Sequence, residues 1–196
     1  KDWQLIVLTG KNIDTGLFPQ NNVIYKKIQR NNITQLDYDK LLKTKEFWDK
    51  IDAEHIQIIK IDSTFCNKLK DLDDYIKFEY IGCSYPTTGW NNKSRGLGSF
   101  SLRKKSFMID CINSYPDLVK TSYPKEDAFY SMCLEDKMNN NNYNDPTQLD
   151  INNYCVEHVF DKNQEAPLGM NVSYIKKETK DWLKKKCNIG KYLLSI

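Results

Sequence analysis

Apolar residues recur along the chain with two spacings, and each spacing predicts a different kind of element. Short apolar runs rich in β-branched residues, or runs that alternate with polar residues, are typical of strands. They predict strands at residues 3–8, 56–61, 75–81 and 154–160. Residues 23–28 fit either a shorter strand or a helical turn.

Apolar residues spaced three and four apart predict the helices. This spacing places helices at residues 37–42, 44–51, 104–114 and 126–137, with Thr44 as the N-cap of the second, and a lysine-rich amphipathic helix near the C-terminus. Because strands alternate with helices, we expect an α/β fold with a mixed sheet flanked by helices. We expect a single domain over residues 1–196.

Charge and composition narrow the class of protein. The formal net charge is +3, and no dense arginine patch is interleaved with aromatics, so nucleic acid is not an expected partner. The chain has no apolar run of membrane-spanning length and no signal peptide pattern. The bias toward Asn, Lys, Ile and Tyr is typical of an AT-rich genome, such as those of some viruses, and points to no function.

The six cysteines are scattered without a CxxC pair, which gives a zinc site little support. Cys66, Cys111 and Cys155 lie inside apolar stretches, as small buried hydrophobic residues do. An even number permits disulfides, but a domain of this size does not need them. We therefore predict reduced thiols and a cytoplasmic location.

Asp62 directly follows the apolar run at residues 56–61 and precedes Ser63 and Thr64. In open α/β sheets, ligands bind beyond the carboxyl ends of strands. Hard oxygens at such a position suit Mg²⁺ or Mn²⁺ bridged to a diphosphate. An Asp that caps a turn through its own backbone explains the same residue equally well.

The segment from Gly96 to Arg103 combines glycines with a cationic side chain. Gly96 and Gly98 would allow close approach of a ligand to the backbone, and Arg103 could bind phosphate or carboxylate with two hydrogen bonds. The segment lacks the Gly-Lys-Ser/Thr of a phosphate-binding P-loop. From these residues alone, a turn that enters a strand and ends in a surface arginine is the simpler interpretation.

Glu126 and Asp127 are adjacent acids at the start of a predicted helix. Acids there are often only favourable partners of the helix dipole. If one faces a cleft, it could take a proton from an acceptor hydroxyl as a general base. Asp127 is the first candidate for this role and Glu126 the second.

Glu157 and His158 fall in the last predicted strand, where alternation puts them on opposite faces. Cys155 shares the face of Glu157, so this carboxylate could be buried, and a buried Glu needs a partner. Arg103 is one candidate for that partner. His55, which precedes a strand, is interpreted as a structural residue.

These motifs, in this order, resemble a family of GT-A-like glycosyltransferase domains of formerly unknown function. The resemblance covers most of the chain from Leu41 onward. The segments that carry it are LLKTKEFW (41–48), IKIDSTFC (59–66), LDDYIKFEYIGCSYP (72–86), GLGSFSLR (96–103), KEDAFY (125–130), NYCVEHVF (153–160) and PLGMN (167–171).

The resemblance implies an enzyme that moves a sugar from a UDP- or GDP-linked donor to a hydroxyl of a glycan or protein, with a divalent metal. It makes Asp127 the expected base, with Glu126 as the alternative. Asp62 and Asn171 would hold Mn²⁺ or Mg²⁺. The residues expected to contact the donor are Asp62, Ser63, Gly98, Ser101, Arg103 and Glu157.

The chain departs from the family pattern at three points. Leu97-Gly98-Ser99 stands where the family has Asn-Gly-Gly, and Asn171 stands where it has a metal-binding His. The family's first strand, which helps to hold the nucleotide, would lie upstream of Lys1. The alternative is therefore a non-catalytic glycan-binding or assembly module derived from the same fold, since fold analogy alone does not fix function.

Overall fold

The computed structural model of the chain describes residues 3–12, 23–28, 31–66, 71–84, 96–138, 143–156, 165–171, 181–182 and 187. The fold is mixed α/β, which confirms the coarse prediction. The described strands form three small sheets, whereas the sequence predicts one mixed sheet.

The first sheet pairs β1 (Leu5–Thr9) with β2 (Val23–Lys27) in parallel. The strand predicted at residues 3–8 is confirmed, and residues 23–28, which the sequence left open, contain a strand. The Nε1 group of Trp3 donates a hydrogen bond to Asp73, which ties the start of this sheet to a later part of the chain.

The second sheet is antiparallel, with β6 (Leu97–Lys104) between β3 (His55–Ile59) and β5 (Tyr80–Cys83). Ile59 of β3 lies opposite Phe100 of β6. The sequence pattern does not predict the central strand of this sheet, because its polar residues Ser99, Ser101 and Arg103 are buried inside the protein.

The third sheet consists of β4 (Ser63–Phe65), β8 (Gly169–Asn171) and β7 (Cys155–Val156). Strand β8 is antiparallel to β4 and parallel to β7. A parallel bridge between Ser84 and Val156 joins this sheet to the second sheet. Strand β8 also packs closely on β6, since a Cβ on Gly169 would lie 2.4 Å from the ring of Phe100.

The structure describes six helices. They are α1 (Gln35–Leu42), α2 (Lys45–Asp49), α3 (Lys105–Ser114), α4 (Pro116–Lys120), α5 (Glu126–Met138) and α6 (Gln148–Tyr154). Side-chain caps begin three of them, α1, α2 and α6. Thr34 and Asp37 form a capping box at the start of α1, and Thr44 caps α2 as predicted. The helices predicted at residues 37–42, 44–51, 104–114 and 126–137 are thus confirmed.

Two predicted strands are wrong over part of their length. Residues Leu72–Tyr75 form a 3₁₀ turn capped by the Asp71 side chain, so the strand begins only at Tyr80. Helix α6 replaces the start of the strand predicted at residue 154, because Thr147 and Asp150 form a capping box that begins a helix. Within the described residues, that strand is the short β7.

The second sheet has a hydrophobic cluster on each face. One face packs against the helices through Trp48, Tyr80, Met108, Phe129 and Tyr130. The other face packs against α6 and the third sheet through Phe78, Ile81, Phe100, Leu102 and Tyr154. The sheet is therefore covered on both sides, which explains why β6 carries buried residues along its length.

The prediction of reduced thiols is wrong, since all six cysteines are paired as Cys66–Cys187, Cys83–Cys155 and Cys111–Cys133. The partners are separated by 121, 72 and 22 residues along the chain. Such pairs have no sequence signature like a CxxC motif, so the scattered spacing gave no sign of them.

No helix within the described residues is long and apolar enough to span a membrane. The lysine-rich C-terminal helix predicted from the sequence falls mostly outside the described residues. In that region the structure describes Asp181, Trp182 and Cys187.

Candidate functional site

A buried ion pair joins the central strand β6 to the first turn of α5. The Arg103 Nη1 and Nη2 groups donate hydrogen bonds of 2.6 and 3.0 Å to the two carboxylate oxygens of Glu126. Arg103 is 0% exposed and Glu126 is 2% exposed. The guanidinium also lies over the rings of Tyr80 and Tyr130, 5.2 and 5.7 Å from their centroids.

The electrostatics of this pair follow from its burial. Burial raises the pKa of Glu126, and the charge and hydrogen bonds of Arg103 act against that rise. Burial alone would lower the pKa of Arg103, but Glu126 outweighs it and the net shift is upward. We take both groups as charged, because the bidentate contact supplies the compensation that each buried charge requires.

The structure gives Glu126 and Arg103 places that differ from the predicted ones. Glu126 is buried, and both of its carboxylate oxygens accept hydrogen bonds from Arg103. This arrangement favours an anchoring role for Glu126 over that of a base. Arg103 also donates from Nε to Ser101 Oγ at 2.9 Å and from Nη2 to the Gly98 carbonyl at 3.5 Å. The interpretation as a surface arginine is wrong, because the guanidinium is fully buried. The expected contact of Arg103 with a donor stays a prediction.

Gly98 and Ser101 belong to the same interior cluster. The Ser101 hydroxyl donates to the Gly98 carbonyl at 3.2 Å. A Cβ on Gly98 would lie 2.2 Å from Glu126 Oε1 and 2.7 Å from Arg103 Nη2. The ion pair, rather than a ligand, therefore requires a glycine at position 98 and accounts for the contact of Ser101.

Asp127 is the half-buried acid beside this cluster. Its Oδ2 atom accepts a hydrogen bond of 3.3 Å from the Gly98 backbone N–H, and its Oδ1 atom accepts one of 2.8 Å from the Ala128 N–H. Asp127 thus lies at the start of α5 and against the start of β6. The two backbone contacts fix the direction of the Asp127 side chain.

Asp62, Ser63 and Asn171 come together at the edge where β3 ends. Lys60 N–H donates to the Ser99 carbonyl, and Ser63 N–H donates to the Lys60 carbonyl, both at 2.9 Å, so the chain turns at residues 60–63. Ser63 lies opposite Asn171 in the β4–β8 ladder. The register therefore places Asn171, one predicted metal ligand, opposite Ser63, the residue that follows the other predicted ligand, Asp62.

These two side chains fit a divalent cation by their chemistry. A carboxylate and a carboxamide offer the hard oxygens that Mg²⁺ and Mn²⁺ accept. Asp62 Oδ1 is withdrawn from solvent, and Asn171 is 2% exposed. The described residues contain no group of three or more His, Cys, Asp or Glu placed to hold a metal ion.

Lys60 and Tyr38 also lie where β3 ends, and the sequence patterns do not identify them as site residues. Lys60 Nζ lies 4.4 Å from the centroid of the Tyr38 ring and 3.4 Å from Gln35 Oε1. Burial raises the pKa of the Tyr38 hydroxyl strongly, and the nearby Glu126 adds to this rise. The available signal was the position of Lys60 at the end of a predicted strand, two residues before Asp62.

Lys43 supports the segment that leads into α5. Its side chain is 0% exposed, and its Nζ group donates to the carbonyls of Thr121 and Pro124 at 2.9 and 3.0 Å. Burial lowers the pKa of Lys43, while Asp39 and Glu126 oppose this effect. The contact fixes the chain just before Glu126 and Asp127.

The site residues described above all lie within residues 22–171, which match a family described as "Protein of unknown function (DUF5672)". The chain belongs to this family. No curated protein and no solved structure matches the chain. Glu157, the remaining predicted donor contact, lies outside the described residues.

Proposed function

We propose that this member of the DUF5672 family is a glycosyltransferase of GT-A-like fold that uses a nucleotide-sugar donor. The observation that supports the proposal best is the position of two carboxylates at one edge of the second sheet. Asp127 accepts the N–H of Gly98, and Asp62 lies in the turn that follows the contact of Lys60 with Ser99. Residues 98 and 99 are neighbours, so both acids belong to one small region.

In this proposal Asp127 is the general base. It would take the proton of an acceptor hydroxyl, on a glycan or a protein, as that oxygen attacks the anomeric carbon. Anchoring by the buried Glu126–Arg103 pair fixes the start of α5 and so limits the freedom of Asp127. Positioning of this kind lowers the entropic cost of the reaction.

Asp62, with Asn171, would hold Mn²⁺ or Mg²⁺ against the diphosphate of a UDP- or GDP-sugar. The cation would supply positive charge for the departing nucleoside diphosphate. Ser63 lies opposite Asn171, and its side-chain hydroxyl is buried without a hydrogen-bond partner among the described residues; this hydroxyl would contact the same diphosphate.

A non-catalytic glycan-binding or assembly module is the second candidate. The observation that favours it is the interior position of Gly98, Ser101 and Arg103, which would otherwise supply contacts to the donor. A descendant that keeps the ion pair for stability and lacks turnover would preserve this part of the sequence.

Release of UDP or GDP from a panel of sugar nucleotides, with Mn²⁺ or Mg²⁺ and a glycan acceptor, tests the enzyme proposal. We expect turnover by the wild type and loss of turnover in Asp127→Asn. Asp117→Asn is the matched control, because Asp117 is also an acid in the first turn of a helix and its side chain is 96% exposed. A wild type that binds glycan without turning over any donor would favour the second candidate.

The three disulfides also bear on where this activity takes place. Disulfides persist in oxidising compartments and are rare in the cytosol. We therefore propose that the protein works in an oxidising setting, in place of the cytoplasmic location expected from the sequence. An acceptor on a secreted or surface glycan or protein would be accessible in that setting.

A further inference from the structure

We propose that Lys60, held over the ring of Tyr38, is the cationic contact for the diphosphate group of the donor. Recognition of a diphosphate requires only this local chemistry, whereas its assignment to a sugar donor rests on the function proposed above. Lys60 is not among the residues that the family resemblance implies.

The backbone of Lys60 is fixed on both sides. Its N–H group donates to the Ser99 carbonyl at 2.9 Å, and its carbonyl accepts from the Ser63 N–H at 2.9 Å. The first contact joins Lys60 to Ser99 of β6. The residue before Ser99 is Gly98, which donates its N–H group to Asp127. The second contact places Lys60 at the start of the turn that contains Asp62.

The contacts of the Lys60 side chain orient its ammonium group but do not occupy all of its hydrogen-bond donors. Stacking of the ammonium on the Tyr38 ring at 4.4 Å directs it toward α1. Its hydrogen bond to Gln35 is 3.4 Å long, near the outer limit for such a bond. An ammonium has three donors. The contacts with the described residues therefore leave donors for an anion.

Two buried cations of this region differ from Lys60 in this respect. The guanidinium of Arg103 is bound to Glu126, Ser101 and Gly98 in the interior. The ammonium of Lys43 is bound to two backbone carbonyls and is fully enclosed. Lys60 is half-buried, so its charge is both partly desolvated and within reach of a ligand.

The hydroxyls around Lys60 support the same interpretation. Tyr38 Oη and Ser99 Oγ are withdrawn from solvent and have no hydrogen-bond partner among the described residues. A buried hydroxyl without a partner is costly, and an oxygen of a bound ligand would satisfy it. Both hydroxyls belong to residues that Lys60 contacts directly.

During transfer, the bond between the anomeric carbon and the donor phosphate oxygen breaks, and its electron pair stays on the diphosphate. The acceptor oxygen forms the new bond to the anomeric carbon, and its proton passes to Asp127. Negative charge thus grows on the diphosphate as the reaction proceeds. The ammonium group of Lys60, already positioned by Tyr38, would stabilise that charge without reorganisation.

Binding of inorganic pyrophosphate, UDP and GDP, measured by calorimetry, tests the inference. We expect Lys60→Met to weaken pyrophosphate binding by about 10- to 100-fold, the usual effect of losing a charge-assisted hydrogen bond. Lys60→Arg should restore most of the affinity, because it keeps the charge. Higher salt should weaken the wild type more than Lys60→Met.

Lys77→Met is the matched control, since Lys77 is exposed and also stacks on an aromatic ring, that of Phe78 at 4.9 Å. It loses the same charge and the same type of ring contact, so it should bind pyrophosphate like the wild type. Equal melting temperatures of the two lysine variants without ligand would exclude a general effect on folding.

The inference is overturned if the wild type does not bind pyrophosphate, or if Lys60→Met binds it with unchanged affinity. Sugar transfer is measured separately on the same proteins. Transfer with unchanged donor KM in Lys60→Met would retain the proposed function and reject the role of Lys60. Pyrophosphate binding that depends on Lys60, in a protein that transfers no sugar, would reject the proposed function instead.

Discussion

Arg103 and Glu126 form a bidentate ion pair in the protein interior, with N–O distances of 2.6 and 3.0 Å. The pair connects the central strand of the second sheet to the first residue of α5. Its position determines where Asp127 lies, because Asp127 is the next residue along the helix. The interior pair and the proposed base are therefore parts of one arrangement.

Removal of one partner of this pair should be strongly destabilising. We expect Arg103→Met to lower the free energy of unfolding by about 3–5 kcal/mol, because it leaves the Glu126 carboxylate buried without compensation. Urea denaturation monitored by circular dichroism measures this change. Glu126→Gln should also destabilise the protein, since it leaves the guanidinium unpaired.

The double variant distinguishes a true pair from two independent contacts. Arg103→Met combined with Glu126→Gln should cost less than the sum of the single changes, because neither buried charge remains. Lys45→Met is the surface control: Lys45 pairs with Asp49 at 2.6 Å, but both side chains are about half exposed. It should cost no more than about 0.5 kcal/mol. Strict additivity would contradict the assignment.

Gly98→Ala tests the reason for the glycine beside the pair. The added methyl group would overlap Glu126 Oε1 and Arg103 Nη2, at 2.2 and 2.7 Å. We expect a loss of about 1–3 kcal/mol, the usual cost of overpacking. Ser99→Ala, in the same strand, removes a buried hydroxyl that has no partner among the described residues, and should be neutral or stabilising. Equal stability of Gly98→Ala and the wild type would contradict this account.

The sequence predicted the parts of the fold that follow from local patterns. Thr44 as a helix cap and the strand ending before Asp62 depend on residues close together in the chain, so periodicity and capping rules were sufficient. The adjacency of Glu126 and Asp127 at a helix start was also visible. Their different environments were not, because Glu126 meets a residue 23 positions away.

The features of the fold and site that the sequence did not predict depend on contacts between distant residues. Strand β6 was missed since its buried polar residues satisfy one another, as Ser101 does with Arg103, and this mimics a polar loop. The cysteine pairs join residues as far as 121 positions apart, and no local spacing reveals them. The sequence does not indicate a role for Lys60, because only the fold places Tyr38 beside it.

The three disulfides should be detectable by mass spectrometry. Alkylation of the denatured, unreduced protein should modify none of the six cysteines, and alkylation after reduction should modify all of them. Replacing Cys111 and Cys133 by Ser should lower the free energy of unfolding by about 2–4 kcal/mol, because the bond constrains the unfolded chain. Free thiols in the native protein, or an unchanged stability of that variant, would contradict the pairing.

Lys43 should give the protein a distinctive dependence of stability on pH. Burial lowers its pKa in the folded state below the ordinary 10.5. Between the two pKa values the unfolded chain binds more protons, so stability increases as pH rises through this window. Below the folded pKa, both states are protonated and the full cost of the buried charge remains.

We therefore expect the stability difference between the wild type and Lys43→Met to shift toward the wild type as pH rises from 7 to about 10. Chemical denaturation at several pH values measures it. Lys45→Met, which removes an exposed lysine of α2, should show no such trend. A difference that is constant with pH would mean that Lys43 keeps an ordinary pKa.

Asp127→Asn should separate chemistry from binding. The amide keeps the shape of the side chain and its Oδ1 can still accept from the Ala128 N–H, but its Nδ2 group cannot accept from the Gly98 N–H, so we expect a loss of stability of only about 1 kcal/mol. It cannot take a proton, and we expect kcat to fall by about 10²–10⁴-fold, the usual contribution of a general base, with little change in donor KM. Glu126→Gln should instead lower activity in proportion to the loss of folded protein, because Glu126 acts through the position of α5. If Asp127→Asn keeps full turnover while Glu126→Gln loses it without unfolding, the two acids have exchanged roles.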